Sequence, residues 1–213
     1  MLKGGEVSRV VNVVCWSGGK DSSATLVLAH EKGIQIDLVL MSLLWFDKSR
    51  GIYAIDPVML DWIMNHAKPL IESWGFPVKI LSSEKDYLYY FFKKRQSCRN
   101  PENSVYVGKY YGFLIGGHCV LQQEKVKPIK QYLRNLENQH SITEIIGICA
   151  DEQRRIKGMK QRGYTSLLVE NNIMQKETIS ICKPYGLVAP NYETHKRDGC
   201  WFCPNQRIAD LAY

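Results

Sequence analysis

The stretch richest in groups that can do chemistry is Ser17-Gly18-Gly19-Lys20-Asp21-Ser22. The two glycines let the backbone turn sharply with no Cβ in the way. Lys20 brings a full positive charge, and Ser17, Ser22 and Ser23 bring hydroxyls. Where such a turn runs into a helix, free N–H groups and the positive end of the helix dipole face one small volume, which suits a phosphate. The string is not the P-loop of the common nucleotide triphosphatases, G-x-x-x-x-G-K-S/T. Val14 stands where its first glycine should be, and Asp21 follows the lysine. A carboxylate beside a phosphate is repulsive unless a cation or the ligand's own donors lie between them. Asp21 is therefore expected to meet Mg²⁺ or to orient the backbone.

A second set of donors lies far along the chain. Cys200-Trp-Phe-Cys203 is a C-x-x-C, and His118-Cys119 precedes it by roughly eighty residues. C-x-x-C is read either as a redox pair or as two metal ligands. In the ligand reading, His118, Cys119, Cys200 and Cys203 form a donor set suited to Zn²⁺ or, through the thiolates, to an iron–sulfur cluster. The chain has seven cysteines. An odd number in such a chain speaks for thiols or metal ligands over a disulfide framework.

These groups need elements to position them. Residues 10–16, with four valines, predict a buried parallel strand, and residues 22–32 predict a helix that Gly33 ends. Residues 34–46 predict a second strand. A helix opening at Asp56-Pro57 should kink or break at Pro69. A third strand is expected over 77–81, a helix over 86–94 and a loop over 97–117. A helix then leads to Asn138, followed by a strand over 144–150, a short strand over 165–169 and a helix over 174–183. Alternating strands and helices imply a mostly parallel α/β sheet with right-handed crossovers. Ligands of such sheets sit beyond the carboxyl ends of the strands. That places Asp47 and Arg50 after the second strand, and Arg154 and Arg155 after the strand over 144–150, as candidates for the site.

Bulk composition narrows the class. The chain has 213 residues, 45% hydrophobic and 23% charged, with a formal charge of +7. That length fits a single domain over 1–213, with the segment 186–213 carrying the C-x-x-C. The positive balance suits nucleic acid or a polyanionic small ligand. No apolar run approaches the roughly 18 residues a membrane span needs, and the first residues lack a signal-peptide core. A cytoplasmic location is expected, with no membrane partner, and a homodimer is left open.

Residues 17–22 resemble the PP-loop, S-G-G-x-D-S, of the ATP pyrophosphatase superfamily. The likeness continues through His118-Cys119, Lys125-Val-Lys-Pro-Ile129, Gly147-Ile-x-x-Asp151-Glu152 with Arg155, and Cys200-x-x-Cys203. In order and spacing these are similar to the phosphoadenosine-phosphosulfate (PAPS) reductase family, across about residues 10–207. The resemblance implies a three-layer Rossmann-like adenine nucleotide alpha hydrolase fold with helices on both faces. It implies an ATP-, adenosine-phosphosulfate (APS)- or PAPS-binding enzyme of sulfur metabolism, a transferase or an oxidoreductase. Ser17, Gly18, Gly19, Lys20, Asp21, Ser22, Asp47 and Arg154 would bind the nucleotide, and Lys20, Asp21 and Arg155 would act in catalysis. A cluster or zinc would be held at His118, Cys119, Cys200 and Cys203, with His118 in place of the family's first cysteine favouring zinc. Cys149-Ala150 stands where the reductases carry two arginines, and their Glu-Cys-Gly-like tail motif is not found before Tyr213. A true reductase releasing sulfite would then need another nucleophile, for which Cys98 is the candidate. Relatives in DNA phosphorothioation and tRNA thiolation also imply a protein or nucleic-acid acceptor, including a non-catalytic role in such a system.

Overall fold

A computed structural model describes residues 9–113, 119–194 and 199–203. The chain opens with β1 (Val10–Cys15), α1 (Lys20–Glu31) and β2 (Leu38–Leu43), followed by a small hairpin of β3 (Trp45–Asp47) and β4 (Ile52–Tyr53). Next come α2 (Pro57–Trp62), a π-helical turn (Ile63–Ala67), α3 (Lys68–Ser73) and β5 (Val78–Ser82). They lead to α4 (Tyr87–Phe91), a 3₁₀ turn (Pro101–Tyr106), α5 (Val120–Glu137) and β6 (Ser141–Ile146). The described chain closes with α6 (Gln153–Gln161), α7 (Leu167–Glu170), α8 (Thr178–Cys182) and α9 (Asn191–Thr194).

Four strands form one parallel sheet in the order β5-β2-β1-β6. Strand residues alternate between faces, and the core divides accordingly. Val14 of the first strand, Trp16 just after it, and Val39, Met41 and Leu43 of the second join α1 in the largest cluster. Val11, Val13 and Leu40 turn the other way, against Leu133 of α5. Helices therefore cover both faces, as expected for an α/β sheet of this kind. Within α1 every residue from Ser22 to Ala29 is buried, so the helix is enclosed on all sides. The order places β1 at the switch point: the chain runs outward through β2 to β5, then returns to lay β6 on the other side of β1. Ligands of open α/β sheets bind at that crevice.

Several elements differ from the sequence expectation. The break expected at Pro69 is taken up just before it, where Lys68 N–H donates to Ile63 O five residues back. Pro69 has no N–H to give, and widening one turn keeps the helical path continuous. Only Leu38–Leu43 of the 34–46 run is sheet, and Asp47 begins the turn of the added hairpin. Thr165 makes a single parallel bridge to Ile145, and the expected strand 165–169 then becomes α7, capped by Ser166 Oγ. The α8 helix is shorter than expected from 174–183. Among the described residues no helix is long and apolar enough to cross a membrane.

Candidate functional site

The glycine turn sits where β1 ends and α1 begins. Gly18 has φ 84°, a left-handed conformation glycine adopts without strain, and Gly19 is the N-cap. Serines hold the turn in shape. Ser17 N–H donates to Ser22 Oγ at 3.1 Å, Gly19 N–H to Ser17 Oγ at 3.3 Å, and the Ser22 hydroxyl to Gly19 O at 3.0 Å. Beneath it, Trp16 Nε1 donates to the buried Ser23 Oγ at 3.0 Å.

Lys20 lies within a ring of oxygens. Its Nζ donates to Asp21 Oδ1 at 2.5 Å, Thr178 Oγ1 at 3.2 Å and Gln175 O at 3.3 Å. Thr178, itself fully buried, also lies 3.0 Å from Asp21 Oδ1. Tyr192 OH accepts from Lys20 N–H at 3.1 Å. The Asp21 carboxylate is thus balanced by the ammonium beside it, with both side chains 21% exposed. Gln175, Thr178 and Tyr192 were not foreseen as parts of the site. Nothing local in the sequence marks them, because their role comes from α8 and α9 packing against the start of α1.

The chain after β6 closes the other side of the turn. A Cβ on Gly147 would lie 2.7 Å from Ser22 N and 2.8 Å from Asp21 C, so only glycine lets β6 pass the head of α1. Cys149, fully buried, follows; burial and the adjacent Asp21 carboxylate push its thiol up to about 12. Cys182, on α8, donates to Lys20 O and is likewise pushed up to about 12, by burial and then by Asp21. Asp151 Oδ1 accepts from Gln175 N–H at 3.2 Å, tying this segment to the residues around Lys20.

Arg154 and Arg155 do not join the ring around Lys20. They line a separate hollow of about 480 Å³ with Arg162, Tyr164, Ile146 and Ile148. Arg155 pairs with Glu152 at 2.5 Å, and Glu152 also accepts from Cys149 N–H. Asp47 is 8% exposed and serves its own hairpin turn, accepting from Ser49 Oγ at 2.6 Å and Arg50 N–H at 3.2 Å. The Ser49 hydroxyl is the main reason its carboxyl lies below the usual value.

The C-x-x-C forms a tight turn, Cys203 N–H to Cys200 O at 3.0 Å, docked on the segment after β4. Cys200 bridges Ile55, and Trp201 donates to Ala54 O and, through Nε1, to Tyr53 O. Cys119 and Cys200 pack into one cluster with Tyr87 and Phe202. The fold therefore brings Cys119 to the C-x-x-C across the sequence. Burial, and less so the neighbouring Cys203 and Cys119, raise the Cys200 thiol, while Lys125 opposes the shift. The donor chemistry suits a thiophilic metal. Among the described residues, however, no three His, Cys, Asp or Glu side chains are arranged to hold an ion. His118 lies outside the described residues. Cys98 donates to Asn103 O at 3.0 Å, in the segment carrying the 3₁₀ turn.

No family model matches the chain, and no curated protein matches it. Among solved structures it is similar to the U34-tRNA thiolase NcsA from Methanococcus maripaludis with its 4Fe–4S cluster, at 15% identity and a TM-score of 0.48. That alignment covers 96% of this chain and 62% of the thiolase, so the chain spans less than two thirds of that structure.

Proposed function

We propose that residues 17–22 bind the phosphates of an adenine nucleotide, ATP, APS or PAPS, and that the chain catalyses adenylyl or sulfur transfer. The observation that carries this reading is the placement of Lys20. Its ammonium stands at the head of a fully enclosed helix, at the switch point of a parallel sheet, anchored by Asp21 and Thr178. A preorganised cation there stabilises charge that develops on phosphoryl oxygens as the bond to the leaving group breaks. Asp21 is the group to which Mg²⁺ would bind beside the phosphates. It also holds the ammonium in place. Arg154 and Arg155, in their own hollow beside the carboxyl end of the neighbouring strand, offer a forked contact to an anionic second substrate.

Calorimetric titration with ATP, APS and PAPS, with and without Mg²⁺, tests the reading on wild type and on Lys20→Ala. Loss of one charge-assisted contact should weaken binding by about ten- to a hundredfold. Equal affinity in both proteins, or no binding of any of the three, overturns it.

A further inference from the structure

Between Phe91 and Phe113 the chain forms an arm. Its two sides are joined through Arg95 N–H to Lys109 O, Gly108 N–H to Arg95 O, and Tyr111 N–H to Lys93 O. The root is firm: Phe91 packs at 5.8 Å on Tyr87 in the cysteine corner, and Tyr90 OH donates to the buried Glu124 at 2.6 Å. The arm itself is not a packed element. Phe92 is 57%, Tyr106 50%, Tyr110 57% and Phe113 61% exposed.

Four large rings in solvent on one short segment are unusual for residues that normally contribute to a core. Cations alternate with them. Residues 93–113 carry five Lys or Arg against Glu102 alone, +4 of the chain's formal +7. Arg95 lies 4.6 Å over the Tyr111 ring and Lys94 lies 5.5 Å over Tyr110. A protein-binding patch is depleted in lysine at its centre. A membrane-surface helix keeps its rings and its cations on opposite faces, whereas here Arg95 and Lys94 lie directly over rings. Rings interleaved with cations match a chain of alternating bases and phosphates.

We infer that this arm binds single-stranded nucleic acid, with bases stacking on Phe92, Tyr110 and Phe113 and phosphates meeting Lys93, Lys94 and Lys109. The inference stands on the arm alone and does not depend on the nucleotide reading.

The test is fluorescence anisotropy of labelled single-stranded RNA and of single-stranded DNA of the same length with the full chain. Three phosphate contacts predict about a 20-fold loss of affinity between about 50 and about 200 mM salt. Phe92→Ala with Tyr110→Ala should weaken binding at least about tenfold, and Tyr110→Phe should retain it. Lys93→Glu with Lys94→Glu should also weaken it and flatten the salt dependence. Binding of either strand in this pattern supports the inference, and the tighter of the two identifies the source. Unchanged affinity in the ring variant at an unchanged melting temperature overturns it. So does binding to phosphatidylserine vesicles with no binding to either oligonucleotide. Lys20→Ala should keep wild-type oligonucleotide affinity, so failure of one proposal is distinguishable from failure of the other.

Discussion

Lys20 and Asp21 are adjacent residues with opposite charges, and each needs the other. Alone, a carboxylate at this turn would repel a phosphate, and a free ammonium would sample many rotamers. Paired and pinned by Thr178, they balance each other's charge and the ammonium is held in one place. The same carboxylate acts on the thiols behind it. With Cys149 and Cys182 both near 12, almost no thiolate exists at neutral pH, and the thiolate is the nucleophile. Neither residue can serve as an attacking sulfur in this arrangement. Iodoacetamide at about pH 8 should therefore leave both unmodified in the native protein and label them only after denaturation, as read by peptide mass spectrometry. Rapid native labelling of Cys149 would show that the thiol is not held as described.

At the level of elements, the tightest constraint is the crossing of β6 over the head of α1. Gly147→Ala puts a methyl group against backbone atoms, which cannot move aside as a flexible side chain would. The expected cost is about 1–3 kcal/mol of stability with a matching loss of nucleotide affinity, measured by denaturant melts and titration. A variant as stable as wild type would mean that the two elements do not approach so closely. The elements themselves were largely readable in the sequence. Valine-rich runs gave β1, and the glycine turn after it gave the start of α1 to within two residues. What could not be read was long-range: the positions of Thr178 and Tyr192 beside Lys20, whereas the ligand reading of the C-x-x-C already sets Cys119 with Cys200, and the two share a cluster. Arg154 and Arg155 show the converse. Strand-end logic put them near the phosphates, but the direction in which α6 leaves β6 aims them into a hollow of their own. At short range, Asp47 accepts bonds within its own hairpin turn, and a motif of Asp, Ser and Arg does not tell such a turn from a loop at the site.

Across the whole molecule, stability should depend on acid through Asp37. This carboxylate binds the Arg9 guanidinium, accepts from Asn12 N–H at 2.9 Å and from Gln35 at 2.8 Å, and so ties the start of β1 to the turn before β2. Burial works against its charge, but these donors outweigh it and hold the carboxyl below its ordinary 3.8. A depressed acid stabilises the fold fully above its unfolded value, and the contribution is lost as the pH falls through the folded value. Asp37→Asn should lower stability by about 1–2 kcal/mol at neutral pH, with the gap from wild type closing below about pH 4 in denaturant melts. A gap that is constant with pH would assign the effect to shape and not to charge. The fold class was legible because alternation of strand and helix limits the topology. The strand order was not, because no local signal says that β6 returns to the far side of β1.

The contacts of Lys20 with Thr178 and Tyr192 span almost the length of the chain. During translation the glycine turn emerges well before its two distant contacts, which lie 158 and 172 residues further on. A nascent chain that has passed the turn carries β1, the turn and α1 with Asp21, but not Gln175 O and Thr178 Oγ1, which complete the acceptors around the ammonium. The ammonium is therefore held by Asp21 alone until the chain has been made through Thr178.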